Sequence, residues 1–134
     1  MSVDAADILN ALGQHLLTMA DCPPVIWPNK KPAALPDKPY LVAQIAGKNT
    51  ARRAVSNGAK ATTGQLIVTV VHDLDGYSTA ADRLAQSVAD QFDLDTPIPA
   101  TGGQIRLRQE PTVVDGYSDD VSWRVPVVIP WRAK

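Results

Sequence analysis

The nine residues GQLIVTVVH at 64–72 decide the fold class. Isoleucine, valine and threonine fill five of the nine positions, and β-branched side chains pack well on a pleated strand while losing rotamer freedom in a helix. Turn residues Asp73-Leu74-Asp75-Gly76 follow at once. The stretch reads as a strand, and the rest of the chain can be placed around it.

Downstream, residues 121–129 alternate strictly, with Val121, Trp123, Val125, Val127 and Ile129 on one face. That is the period of a strand with one buried side. Pro126 marks an edge strand or a position without a ladder bond, since proline has no amide hydrogen. Gln104 to Gln109 also alternates and turns Arg106 and Arg108 to one face; Pro111 to Val114 can extend it before the Asp115-Gly116 turn. Upstream, Tyr40 to Ala46 reads as a strand and Val25-Ile26-Trp27-Pro28 as a short extended piece. A stiff proline-rich connection joins them through Pro32 and Pro39. Residues 47–62 (GKNTARRAVSNGAKAT) lack periodicity and read as a long mobile loop or hairpin arm.

Two segments carry a helical stripe instead. Over 3–20, Ile8, Leu12 and Leu16 recur every four residues with Leu9 and Met19 beside them. Ser2 or Asp4 suits the cap, and Cys22-Pro23-Pro24 ends the helix. Over 79–92 the stripe is Ala80 or Ala81, Leu84, Ala85, Val88 and Phe92, with Ser78 or Thr79 as cap and Thr96-Pro97 as stop. The expected architecture is α+β in the order α-β-β-β-α-β-β. One sheet of about five strands carries two helices on one face. At 134 residues the chain makes one domain, 1–134, with a flexible basic arm at about 47–62.

Composition narrows the function. The net charge of -1 gives no general attraction to nucleic acid or anionic membrane. No stretch approaches a membrane span, the N-terminus does not read as a signal peptide, and one cysteine excludes an internal disulfide or a cysteine-based zinc site. These features suit assembly in the cytoplasm. No catalytic, cofactor or metal residues are expected. His15 lies beside the first helical stripe and reads as packed or surface. His72, before Asp73 and Asp75, has no second histidine near it. Thirteen aspartates make any one carboxylate pair uninformative, and Gly102-Gly103 lacks the lysine of a phosphate loop.

Charge is more informative. Residues 48–60 hold Lys48, Arg52, Arg53 and Lys60 and no acid. Residues 73–95 hold Asp73, Asp75, Asp82, Asp90, Asp93 and Asp95 against Arg83 alone, a net of -5. Both read as solvated surface, or as patches by which one copy meets the next. Unlike patches joined head to tail can close into a ring. Arg106 and Arg108 are candidates to face a channel or DNA, with contact at most non-specific.

Across nearly its whole length the chain resembles tail-terminator-like proteins of long-tailed bacteriophages. The resemblance lies in the amphipathic helix followed by Pro24-Val25-Ile26-Trp27-Pro28-Asn29, then Pro39-Tyr40-Leu41, and the strand from Gly64 to Val70. It continues in the helix with Ala81-Asp82-Arg83-Leu84 ending near Phe92, and in Val127-Val128-Ile129-Pro130-Trp131. It implies a virion protein at the tail–head junction: a homo-oligomer, typically a hexameric ring, that caps the tail tube, ends its polymerisation and offers a surface to the head–tail connector. It also implies subunit and tube contacts through the arm at 47–62. Trp27 and Trp131 match the pattern, and their first reading is as core or sheet-edge packing. A neck or connector-completion protein of the same virion is the second reading, and a small ligand-binding or enzymatic domain using His72 the third.

Overall fold

The computed structural model describes residues 3–28, 34–52, 60–74 and 77–134, with backbone alone at 51, 52 and 60. Helix α1 (Ala5–Leu17) buries Ile8, Leu12 and Leu16, the expected stripe. Of the two expected caps Asp4 serves, its carboxylate accepting the Asp7 N–H at 2.9 Å; such caps contribute about 1 kcal/mol. Helix α2 (Ser78–Gln91) buries Ala81, Ala85, Val88 and Ala89, and these small side chains let it lie close on the sheet. Neither Ser78 nor Thr79 caps it. The helix begins one residue earlier than expected, so Tyr77 takes the cap position with no side-chain bond.

The strands are β1 (Val25–Ile26), β2 (Tyr40–Arg52), β3 (Lys60–Asp73), β4 (Ile98–Ala100), β5 (Gly103–Leu107), β6 (Thr112–Val113), β7 (Tyr117–Ser118) and β8 (Ser122–Ala133). They form one mixed, curled sheet in the order β1-β2-β3-β8-β5-β4, with β6 and β7 also on β8. β1 pairs parallel to β2; the other pairs are antiparallel. The expected fold class is what forms: α+β, two helices against one face of a single sheet. The stretch at 64–72 lies in its middle strand, β3, paired to β2 on one side and β8 on the other.

Cross-strand rows such as Leu41–Val70–Val125 and Ala43–Val68–Val127 meet both helices in one core. Of the two readings of the arm, the hairpin forms: residues 47–52 and 60–62 continue β2 and β3, past an irregularity between Ala46 and Asn49 where Gly47 has φ +65°. The part of the arm at 53–59 lies outside the described residues.

The last third also departs from the expected two strands. β8 is interior, not an edge, and β5, β6 and β7 line its other side in turn like one strand broken twice. The prolines account for both breaks. Pro130 and Pro126 accept from the N–H groups of Arg108 and Val114 through their carbonyls. A residue's N–H and C=O point the same way in an antiparallel strand, so each proline's missing donor faces that side. Beside Pro130 the chain leaves β5, and beside Pro126 it leaves β6. Pro126 therefore occupies a position without a ladder bond, the second of the two expectations. Val121 precedes β8 and is 67% exposed, so it is not on the buried face with Trp123 and Val125.

All three tryptophans pack, and each lies on a glycine. Trp131 is fully buried over Gly64, its cross-strand partner. Trp123 lies over Gly116, and Trp27 over Gly13 of α1.

Candidate assembly surface

β3 runs unbroken between the two oppositely charged regions, from Lys60 to Asp73. At about 3.3 Å per residue its ends are roughly 40 Å apart. Arg52 and Lys60, paired across the hairpin, mark one pole. Asp73 is exposed at the other, and Asp82 is exposed on α2 after its first turn. Arg53 and Asp75 lie outside the described residues. A contact between the arm and the Asp73 pole is out of reach within one chain, so it can form only between copies.

Two of the candidates lie elsewhere. Lys48 lies well back from the hairpin end, at a shallow depression with Asp4, Ile8 and Thr62 near the start of α1. Asp90 accepts from Gln86 Nε2 one turn earlier at 2.9 Å. Farther on, Asp93 ties the loop after α2 by accepting from the Asp95 N–H and the Thr96 hydroxyl, bonds that lower its pKa.

The aspartate pole also holds an apolar group that the sequence reading did not single out. Leu74, Tyr77, Tyr117 and Val121 are exposed there, Tyr77 by 94%. Exposed tyrosines are common in protein interfaces, where they bury a large ring and keep a polar tip. The signal in the sequence was an aromatic residue inside a turn, Tyr77 after Asp75-Gly76. Next to this group, Asp119 closes the β7–β8 turn. It bonds the Arg124 guanidinium and the N–H groups of Val121 and Ser122, and its carboxyl is held down at about 2, chiefly by the Arg124 bond.

Arg106 and Arg108 do share a region, and Arg132 and Lys134 join them around a cleft of about 350 Å³. Arg108 also has a structural task, donating from Nε to the Trp131 carbonyl at 3.2 Å and from Nη2 to the Gly64 carbonyl.

The histidines hold structure. His15 Nε2 donates to the Gln91 carbonyl at 2.7 Å, and its ring meets Phe92 edge-on at 5.0 Å. Gln91 returns bonds to the His15 carbonyl and the Thr18 hydroxyl, tying the ends of the two helices together. His72 Nδ1 accepts from the Asp73 N–H. Cys22 is half-buried, and desolvation raises its pKa, which disfavours the reactive thiolate. Among the described residues no group of three or more potential ligands could hold a metal, and no helix is long and apolar enough to cross a membrane.

Fold and surface together define a class: a structural α+β domain whose notable chemistry is distributed charge and exposed tyrosine at its ends. The chain belongs to the phage tail terminator protein family, which it matches over residues 7–131. It is accordingly a structural, non-enzymatic component of a virion tail. No curated protein matches it. One solved structure shares the fold with a TM-score of 0.74 at 21% identity, over 96% of this chain and 92% of its own. A second, from the virion of a native gene transfer agent particle, has a TM-score of 0.64 at 16% identity, over 96% of each chain.

Proposed function

We propose that copies of this chain close into a ring, six in the arrangement its family resemblance implies, on the finished end of a tail tube. The ring stops addition of tube protein and offers its free side to the head–tail connector. It is assembled in the host cytoplasm and ends at the tail–head junction of the particle. The observation that carries this reading is the family match over residues 7–131.

The charge layout supports a head-to-tail subunit contact. The arm, with Arg52, Arg53 and Lys60, reaches the neighbour's Asp73, Asp75 and Asp82 beside its exposed Tyr77; Lys48 and Asp90 lie nearer the flanks. Unlike patches at two poles make the heterologous contact that a ring requires, and opposite charge steers the encounter.

Electron microscopy of particles made without the protein tests the function. Overlong tails are expected. Tails of normal length that fail to join heads would instead identify a connector-completion protein.

A further inference from the structure

The sheet has two unlike sides. The helices on one side leave Asp82 and Asp90 exposed, with Asp93 and Asp95 beyond α2. The other side, toward the β5 end, gathers Arg106, Arg108, Arg132 and Lys134 with Gln104 around the 350 Å³ cleft, and no carboxylate side chain lines it. Arg106 and Arg132 are directly opposed across β5 and β8. Like charges so placed on neighbouring strands repel, and neither has a carboxylate partner within ion-pair distance among the described residues. Stability of the isolated domain gives no reason for that pair, whereas a bound anion would relieve it.

We propose that this cleft grips the phosphate backbone of double-stranded DNA passing through the ring, without reading its sequence. The inference rests on the terminator reading, because that is what brings DNA to this protein. Planar guanidinium forks suit phosphate oxygens and bind them in bidentate fashion. No aromatic side chain lines the cleft to stack on bases. Backbone contact is therefore the mode available. The acidic helix side of a second copy is the less suitable occupant. Asp90 on that side already accepts from Gln86 Nε2, and Asp82 is engaged by the neighbour's arm in the ring contact proposed above.

The test is fluorescence anisotropy with a short mixed-sequence DNA duplex, comparing the full chain with R106A/R132A and R106K/R132K across about 50 to 200 mM salt. Each phosphate contact adds about -0.9 to the slope of log affinity against log salt, so R106A/R132A should flatten the slope by about 1.8 and weaken binding at the low-salt end. R106K/R132K should keep the slope, which separates lost charge from a damaged fold. Equal slopes for the wild type and R106A/R132A would overturn the proposal. So would inorganic phosphate competing as well as duplex at equal phosphate concentration, which marks a small-anion site. Loss of oligomer mass by light scattering in R106A/R132A with duplex binding intact would also overturn it, giving the cleft to a second copy. Tail length in particles carrying R106A/R132A reports separately on the terminator reading, and normal length with a flattened slope is the expected pair.

Discussion

Replacing Gly64 with alanine tests the packing on which the centre of the sheet depends. A Cβ at Gly64 would sit 2.7 Å from Trp131 Cζ2 and 3.2 Å from Cε2 and Cη2. Trp131 is fully buried, and its ring has no open side to move into. Overpacking of this kind costs about 1–3 kcal/mol. Removing glycine from a strand returns about 0.5–1 kcal/mol, so the net loss is about 0.5–2 kcal/mol. An unfolding entropy of about 2.1 cal/mol/K per residue gives about 0.28 kcal/mol/K for a chain of this size. The melting temperature should then fall by about 2–7 °C, read by calorimetry or circular dichroism. In a W131F background the smaller ring leaves room, so G64A should cost less there, with a coupling of about 1 kcal/mol. The Trp131 indole N–H is buried without a partner, so W131F also removes an unsatisfied donor. A melting temperature for G64A at or above wild type, or the same cost in both backgrounds, would refute the argument.

Acid should act through Asp119. Its folded pKa is depressed to about 2, so its stabilising effect is full above the ordinary carboxylate range and is lost as pH falls from about 4 toward 2. Melting scans should show a wild-type decline in that window that D119N lacks in part. H15A should cost about 1–2 kcal/mol in urea unfolding, because it leaves the Gln91 carbonyl without its partner and removes the edge contact with Phe92. Charge reversal in R52E/R53E should lower oligomer mass in light scattering at low salt, and unchanged mass rejects the arm as a subunit contact. Y77S should leave stability within about 0.5 kcal/mol of wild type, the usual range at an exposed site, yet weaken the same oligomers.

Much of the fold was legible because its signals are local. The stripe of Ile8, Leu12 and Leu16 requires a buried helix face wherever the helix lies, and the valines of 64–72 require a strand. The arm was harder to read. Residues 47–52 and 60–62 have little apolar patterning, and they become strand through backbone pairing with each other, which leaves no period to detect. The broken edge at β5, β6 and β7 was half legible: the prolines announced missing donors, but not which neighbour would meet them.

By itself the sequence determined the element types, the α+β class and the two oppositely charged segments, since each depends on neighbours a few residues away. The tertiary structure decided which charges share a surface. It set the arm and Asp73 at opposite ends of one strand, gathered Tyr77, Tyr117 and Val121 at one pole, and opposed Arg106 to Arg132. Those placements follow from strand register, where a shift of one residue would turn every side chain to the other face. Register is set by how the whole sheet packs, and no local pattern records it.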